Sequence, residues 1–323
     1  MSDYIILLFH STDGRDRLSL KNLGNVHPEI FGKLATGLKK EFDIVSLKEL
    51  LGSVSGDTGR RERLLAITFD DGPKSYATEA VPVMSSYGIP STCFLITDCI
   101  GDNAIYWRYL YNFCMNRGYD RELAGLISAE YGVPVRAGDL ISFTRNNYDK
   151  ERNRRVTGNI LEQIVPEEEY SITESDLFLS YLDIEELKDN PLVSFGIHTR
   201  THPVMMRLSD EEILDEISGS LDFYKSRIND EIPMFSIPFG RLYKDYDERT
   251  IIAARKLSIE YIFSAYGGHN KKGQPPYNIR RISVNEGLLG NGTGSFIGLL
   301  GDLSVAPEYF PKEEKLSIAL SRQ

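Results

Sequence analysis

The chain has 323 residues, of which 41% are hydrophobic and 26% are charged, as is typical of a folded globular protein. This length allows one large domain or two smaller ones. A net charge of −10 argues against nucleic acid or an anionic membrane surface as a non-specific partner. The three cysteines have neither metal-site nor redox spacing, which favours a reducing compartment.

The first apolar run covers residues 4–9 and has no basic leader before it and no small-residue cleavage site after it. It therefore predicts a core strand rather than a signal peptide. No later run approaches the roughly 20 apolar residues needed to cross a bilayer, so we expect no transmembrane segment. Together these features favour a cytoplasmic protein.

Strand-like apolar runs alternate with helical patterns along most of the chain. The runs cover residues 4–9, 42–45, 64–69, 92–97, 192–197, 234–238, 260–264 and 278–284. A capping box, Ser209 with Glu212, marks the start of one intervening helix. The alternation predicts a mostly parallel α/β sheet or barrel.

Residues 98–180 interrupt this alternation with helical and loop patterns that contain no convincing buried strand. We therefore expect an insertion here. It leaves the predicted barrel just past the strand at 92–97, so it could cover the face that the strand ends form.

Two adjacent carboxylates, Asp70 and Asp71, follow the apolar run at 64–69 and precede the turn residues Gly72 and Pro73. This order indicates that the pair is displayed at the carboxyl end of a strand, where α/β folds build their sites. An ordinary polar turn before the next helix is the alternative.

Two histidines, His198 and His202, follow another apolar run and are closed off by Pro203. If residues 198–202 form a helical turn, both imidazoles lie on one side and can reach a single metal ion. Hydrogen-bonded structural histidines are the alternative.

The carboxylate pair and the histidine pair would meet at one rim of a parallel barrel. One carboxylate and two imidazoles form a three-ligand set that leaves a position open for water, as in catalytic zinc sites. The second carboxylate would then be free to act as a general base on that water.

The motifs TFDDG and HTRTH, in this order, resemble the first two motifs of the polysaccharide deacetylases, carbohydrate esterase family 4 with the NodB homology fold. The segments FSIPFGRLYKDYDE and RRISV are similar to the family's continuation. LLFHST resembles the opening of the branch that includes poly-N-acetylglucosamine deacetylases. The resemblance implies a distorted (β/α)7-type barrel as a single catalytic domain over residues 1–323, with the insertion at about 98–180 as a lid.

Site roles follow from the resemblance position by position. It implies that Asp70 is the general base and that Asp71, His198 and His202 hold a divalent metal. Zinc suits these ligands best, although cobalt, nickel or iron(II) would accept them. The resemblance also implies that the backbone N–H of Phe239 stabilises the oxyanion.

Two positions depart from the family pattern. Many members carry an arginine in the third motif that orients the base, but this chain has Ser236 and Ile237 there. Arg281 could supply that charge, and an exposed arginine at a strand end is the alternative. The usual late histidine, the acid that protonates the leaving amine, is absent. His10 at the end of the first strand is our candidate for that acid, with a buried, hydrogen-bonded histidine as the alternative.

Several other residues carry weaker expectations. We expect His27 and His269 to lie at the surface. Trp107 or Tyr106 in the insertion could stack on a sugar ring, although packing is the commoner use of such residues. Four arginines could grip a diphosphate, although a solvated helix face is the commoner role of such a run: Arg145, Arg152, Arg154 and Arg155.

The sequence thus predicts a metal-dependent hydrolase that removes an N-acetyl group from a sugar during glycan or polysaccharide biosynthesis. A nucleotide-linked or lipid-linked sugar is the favoured substrate, because no secretion signal is evident. A deformylase or O-acetyl esterase on the same scaffold is one alternative. A catalytically inactive carbohydrate-binding protein is another, since a fold alone never establishes activity.

Overall fold

Nine strands form one sheet in the part of the chain that the structure describes. The computed structural model describes residues 3–55, 63–101, 103–229, 231, 233–271 and 273–301. The strands are β1 (Asp3–Phe9), β2 (Asp43–Ile44), β3 (Leu64–Phe69), β4 (Ser91–Leu95), β5 (Val193–Ile197), β6 (Phe235–Ser236), β7 (Ile262–Gly267), β8 (Asn270–Lys271) and β9 (Ile279–Ser283).

Twelve α-helices lie in the described part of the chain. They are α1 (Pro28–Glu41), α2 (Leu47–Ser55), α3 (Val81–Ser86), α4 (Trp107–Arg117), α5 (Asp120–Tyr131), α6 (Leu140–Asn146), α7 (Lys150–Gln163), α8 (Glu167–Thr173), α9 (Tyr181–Leu187), α10 (Asp210–Arg227), α11 (Glu248–Lys256) and α12 (Thr293–Gly301). None of these helices combines the length and the apolar character that a membrane crossing requires. The predicted capping box of Ser209 and Glu212 is present at the start of α10.

Seven parallel strands close into a barrel. Their order around it is β3-β4-β5-β6-β7-β9-β1, and β1 returns to pair with β3. Leu7 on β1 lies opposite both Ile67 on β3 and Ile282 on β9, which is the closing register. β2 extends the sheet beside β3, and β8 runs antiparallel to β1. The predicted distorted (β/α)7-type barrel is therefore confirmed.

The barrel strands are apolar on both faces. In β3, Leu65, Ile67 and Phe69 pack outward into the larger core beneath the helices, whereas Leu64 and Ala66 pack into the smaller core inside the barrel. Parallel strands with two covered faces read as continuous apolar runs, and this is why the sequence located them. Two runs were placed imperfectly: β6 has only two residues, and β7 begins and ends later than predicted.

A helical insertion stands between β4 and β5, where six helices, α4 to α9, replace the usual single connection. The side chain of Asn112 on α4 fastens it to the loop after β1. Its amide Nδ2 donates to the backbone oxygens of Leu18, Ser19 and Lys21. The predicted insertion is thus largely helical, as expected. The extent of one domain over residues 1–323 stays a prediction, and its last 22 residues, 302–323, lie outside the described part.

The contacts of Asn112 predict a measurable stability effect. Asn112→Ala leaves the backbone oxygens of Ser19 and Lys21 short of a donor, while Leu18 O keeps the amide of Asn116, so we expect the free energy of unfolding to fall by about 2 kcal/mol. Chemical denaturation measures this change. Asn147→Ala, which removes an exposed amide bonded only to Phe143 O, is the matched control and should change the value by less than about 0.5 kcal/mol. Equal effects of the two substitutions would contradict the anchoring role.

Candidate active site

The ends of the barrel strands bring most of the predicted site residues together. His10 follows β1, Asp70 and Asp71 follow β3, and His198 follows β5. These residues share a cavity of ≈ 340 Å³ with His202 and Phe239. Carboxyl ends of parallel strands are the usual place for such a cavity.

Three of these residues present ligand atoms to one point. Oδ1 of Asp71 lies 3.5 Å from Nε2 of His198 and 3.6 Å from Nε2 of His202. All three side chains are buried, and their ligand atoms lie within 4.8 Å of one another. The sequence prediction that Asp71 and the two histidines converge is therefore met by the geometry.

The chemistry of this cluster suits a divalent cation. Burial alone would raise the pKa of Asp71, but the imidazoles of His198 and His202 outweigh it and lower the pKa, so the carboxylate is ionised. Its Oδ1 is buried without a hydrogen-bond partner among the described residues. An orphaned anionic oxygen that faces two imidazole nitrogens is a set of donors that can hold a divalent cation.

The two histidines of the cluster differ in the direction in which their pKa values are shifted. Burial and the charge of His198 lower the pKa of His202 to about 3, so its imidazole is neutral, the form that binds metals. For His198, burial lowers the pKa, but Asp70 and Asp71 outweigh it and raise the pKa overall. Binding of a cation would therefore displace a proton from His198.

His198 is oriented by the next strand of the barrel. Its Nδ1 lies 2.7 Å from the carbonyl oxygen of Ser236 on β6 and donates to it. This hydrogen bond fixes the tautomer and leaves Nε2 to face Asp71.

The insertion supplies contacts to the other two ligands, which the sequence did not predict. The hydroxyl of Tyr109 on α4 donates to Oδ2 of Asp71 at 3.3 Å. The hydroxyl of Tyr106 lies 2.9 Å from Nδ1 of His202, and Nε1 of Trp107 donates to the carbonyl oxygen of His202. Trp107 is thus buried as packing, as its commoner use implied. The aromatic-rich letters YWRYLY were the only signal for these contacts, and they do not say which ring touches what.

The helical turn that would have placed both imidazoles on one side is not formed at residues 198–202. These residues form a loop in which Thr199 and His202 have φ angles of 67° and 56°. Oγ1 of Thr199 donates to the carbonyl oxygen of His198 and accepts from the N–H of His202, so a hydroxyl replaces helical hydrogen bonding. Pro203 also disfavours helical backbone at the residue before it. The imidazoles converge through this loop instead.

A fully buried carboxylate on α10 holds the same loop. Glu216 accepts from the backbone N–H groups of Arg200 and Thr201 and from the hydroxyl of Thr201. Nζ of Lys150, on α7 of the insertion, lies 2.8 Å from its Oε1. Glu216 therefore joins the histidine loop to the insertion. No local sequence pattern predicts this connection between distant segments.

Asp70 sits in a separate electrostatic environment. The guanidinium of Arg281 donates to both of its oxygens, at 2.8 Å and 2.7 Å, and Oγ of Ser236 donates to Oδ2. Burial alone would raise the pKa of Asp70, but Arg281 and His198 outweigh it and lower the pKa. Arg281 is 1% exposed, so the alternative of an exposed strand-end arginine is wrong. Arg281 and Ser236 together therefore bind both oxygens of Asp70.

His10 and Phe239 complete the wall of the cavity. Nδ1 of His10 is buried without a hydrogen-bond partner among the described residues, which contradicts the alternative of a fully satisfied histidine. Phe239 has a φ of 60°, and its ring packs edge-on against the imidazole of His202 at 4.9 Å. Its backbone N–H donates no hydrogen bond to a described residue.

Of the two other histidines that the sequence analysis placed at the surface, one is exposed and one is buried. His27 is exposed, as predicted, but His269 is only 7% exposed. The expectation for His269 is wrong because Gly267 and Gly268, both at positive φ, turn the chain so that β8 returns onto β1.

The arginines of the insertion also differ from one another. Arg154 and Arg155 form exposed ion pairs with Glu151 and Glu130, as a solvated helix face predicts. Arg145 does not: it lines the cavity, where its guanidinium pairs with the buried carboxylate of Asp245.

Comparison with known proteins identifies the family. Residues 57–130 and 150–262, more than half of the chain, match the family described as polysaccharide deacetylase. The chain belongs to this family. The unmatched stretch between the two matched segments lies within the helical insertion.

Individual relatives are distant in sequence. The chain is 25% identical over 105 residues to YxkH of Bacillus subtilis (strain 168), a protein named as a polysaccharide deacetylase, and the match spans 32% of this chain and 36% of that relative. The fold is similar to that of the Streptococcus pyogenes deacetylase PplD in complex with acetate, with a TM-score of 0.61 and 16% identity over 92% of this chain and 98% of the other. It is equally similar to IcaB from Ammonifex degensii, with a TM-score of 0.61 and 15% identity over 92% and 97% of the two chains.

The contacts of Glu216 predict an effect on cation affinity. Glu216→Gln replaces one acceptor oxygen with an amide that cannot accept from the loop, so we expect about tenfold weaker Zn²⁺ binding in a chelator competition titration. Asp215→Asn, which removes only an exposed ion pair with Arg200 from the same helix, should leave the affinity unchanged. Equal affinities for the Glu216 variant and the unaltered protein would show that this carboxylate does not position the ligands.

Proposed function

We propose that this chain is a divalent-metal-dependent hydrolase that removes the N-acetyl group from a sugar. The observation that carries the proposal is the buried convergence of Asp71, His198 and His202 beside a second ionised carboxylate, Asp70. Nε2 of His198 lies 3.8 Å from Oδ2 of Asp70, so this second carboxylate adjoins the ligand cluster without belonging to it. Membership of the polysaccharide deacetylase family supports the same reaction class.

Asp71, His198 and His202 would hold the cation. A divalent ion bound there supplies Lewis-acid polarisation of the acyl carbonyl and lowers the pKa of water. Zinc is the ion that two imidazoles and one carboxylate suit best, and cobalt, nickel or iron(II) accept the same donors.

Asp70 is the proposed general base. Its ionised carboxylate takes a proton from the attacking water while the oxygen of that water forms a bond to the acyl carbon. The bidentate pair with Arg281 keeps the carboxylate charged and fixed in direction. Arg281 thus acts on the reaction through Asp70 as a positioning residue.

Phe239 and His10 would serve the later steps. The free backbone N–H of Phe239 can donate to the oxyanion of the tetrahedral intermediate. His10 gives a proton to the nitrogen as the carbon–nitrogen bond breaks, which leaves acetate and a free amine. The proton matters because an unprotonated amide nitrogen is a very poor leaving group.

The substrate class rests on the names of the relatives as well as on the cavity. PplD was solved in complex with acetate, the acid that such a reaction releases, and another similar fold is a de-N-acetylase from Aggregatibacter actinomycetemcomitans, with a TM-score of 0.56. An N-acetylated sugar, nucleotide-linked or lipid-linked, is therefore the proposed substrate.

Two substitutions separate the proposed roles. Asp70→Asn should retain one equivalent of Zn²⁺ and lose about a hundredfold to ten-thousandfold in acetate release, since the base is gone and the ligands remain. His198→Ala should lose both the ion and the activity. Metal content by elemental analysis and acetate release from N-acetylated sugars measure the two effects.

Asp189→Asn, an exposed acid on the surface, is the matched control and should keep both properties. Near-normal activity of the Asp70 variant would rule out its assigned role. Release of formate instead of acetate from the corresponding N-formyl sugars would identify a deformylase.

The role of His10 predicts a dependence on the leaving group. His10→Gln should slow hydrolysis of an N-acetyl sugar by about a hundredfold or more, because the amine must be protonated as it departs. Hydrolysis of an aryl acetate should change little, because an aryloxide leaves without a proton. Equal slowing of the amide and the ester would indicate that His10 only shapes the cavity.

A further inference from the structure

One charged group in the wall of the cavity has no part in the proposed reaction. Arg108 belongs to α4, between the tyrosines whose hydroxyls contact the ligands, and its side chain lines the same ≈ 340 Å³ cavity. Its Nη1 is buried and has no hydrogen-bond partner among the residues that the structure describes. No carboxylate of the described residues forms an ion pair with it, so its charge is not locally compensated.

Arg145, the second arginine of the cavity, is different. Its guanidinium makes a bidentate pair with the buried Asp245 and lies 4.6 Å from the ring centroid of Phe239. The pair is neutral overall and held in place. Arg145 is nevertheless close enough to Arg108 that its charge adds to burial in lowering the pKa of Arg108.

Arg108 as a whole is half-buried, and a guanidinium nitrogen that is shielded from water without an acceptor or a counter-ion is costly unless something else supplies the partner. Asp71 attracts Arg108 at longer range but forms no ion pair with it. The anionic oxygen of Asp71 faces the imidazoles and is therefore already committed to the ligand cluster. No carboxylate of the described residues supplies the counter-charge of Arg108, so a bound anion is the group that would supply it.

The size of the cavity limits what can bring that charge. A volume of ≈ 340 Å³ is at the low end of the range for small-molecule sites, so it suits one sugar unit with a compact charged group. A guanidinium that is not paired with a carboxylate can bind phosphate through two parallel hydrogen bonds, and Arg108 is the arginine of the cavity in that state among the described residues.

Room exists for a larger group beyond such an anion. A second cavity of ≈ 610 Å³ adjoins the first and shares part of its wall. The shared residues are Asn22, Gly24 and Asn285. The second cavity is also lined by charged side chains of both signs: Arg15, Asp16, Arg17, Lys21 and Glu286. A nucleoside or a lipid attached to the phosphate could pass through this opening.

We propose that Arg108, next to Arg145, binds a phosphate group carried by the N-acetylated sugar and so selects sugar phosphates over neutral glycans. The acetyl part of this statement rests on the proposed function, whereas the phosphate part rests on Arg108 alone. A nucleotide sugar and a lipid-linked sugar present the same phosphate next to the sugar ring.

Kinetics on paired substrates test the selection. Arg108→Gln should raise the KM for N-acetylglucosamine 1-phosphate at least about tenfold, the effect of one lost charge-assisted pair. Its kcat/KM for the neutral di-N-acetylchitobiose should stay within about twofold, which also reports on folding. Arg154→Gln, an exposed arginine of the same insertion, should match the unaltered protein on both substrates.

The proposal fails if the Arg108 variant loses equal activity on the charged and the neutral substrate, or loses none on either. Arg108→Lys serves if the glutamine variant does not fold. It keeps the charge but not the planar fork, so it should show a smaller rise in KM for the phosphate substrate alone. Unchanged discrimination in a folded Arg108→Lys variant would overturn the proposal as well.

Binding measurements separate this proposal from the proposed function. Calorimetric titration of the unaltered protein and of Arg108→Gln with N-acetylglucosamine 1-phosphate and with N-acetylglucosamine needs no turnover. Tighter phosphate-dependent binding that Arg108→Gln abolishes, without acetate release, would leave this inference standing and the proposed function wrong. Acetate release without phosphate preference would do the reverse.

The same titration identifies the larger substrate. A uridine-diphosphate sugar and a short-chain prenyl-diphosphate sugar are compared with the simple sugar phosphate. Tenfold tighter binding of one of them, lost in Arg108→Gln, assigns the source of the phosphate. Weaker binding of both than of the sugar phosphate would rule out an attached group and overturn the part of the proposal that uses the second cavity.

Discussion

Two adjacent carboxylates buried at the end of one strand are the constraint on which the site depends. Asp70 and Asp71 are 2% and 4% exposed, and both are ionised, yet only one guanidinium pairs with either of them. Arg281 compensates Asp70 and leaves Asp71 facing two imidazoles. A buried charge without a partner destabilises a fold, so this arrangement is stable only with a cation, or a proton in its place, between Asp71 and the histidines.

The backbone around the site is held in uncommon conformations. Asp71, Thr199, His202 and Phe239 all have positive φ although none is glycine. Each such residue costs on the order of 1–3 kcal/mol and persists only where the surroundings impose it. Here the closed barrel imposes it, because the loops leave fixed strand ends and are tied by Glu216 and by the hydroxyls of α4. The rigid barrel thus fixes the positions of the side-chain atoms of Asp71, His198 and His202.

The sequence predicted the barrel because its strands are buried on both faces and appear as apolar runs. It predicted the ligand set because motif residues follow those runs directly. It could not predict the contacts that hold the set. Tyr109 contacts Asp71 across a separation of 38 residues, and Glu216 contacts the histidine loop from another helix. Neither contact is marked by a periodic pattern or a fixed spacing in the sequence. The helical turn considered for residues 198–202 is not formed, because the hydroxyl of Thr199 replaces helical hydrogen bonds. Only the surrounding packing decides between these two patterns of hydrogen bonding.

Helix α4 carries two kinds of residue on one short segment: Tyr109, whose hydroxyl holds a ligand, and Arg108, whose charge faces the substrate space. Because these neighbours share a backbone, a displacement of α4 would move both side chains at once. An engineer who grafts this insertion onto another barrel of the family would transfer the Tyr109 hydroxyl and the Arg108 charge together. A graft that shifted the helix by one residue would take the Tyr109 hydroxyl away from Asp71 and the Arg108 guanidinium away from its place in the cavity wall.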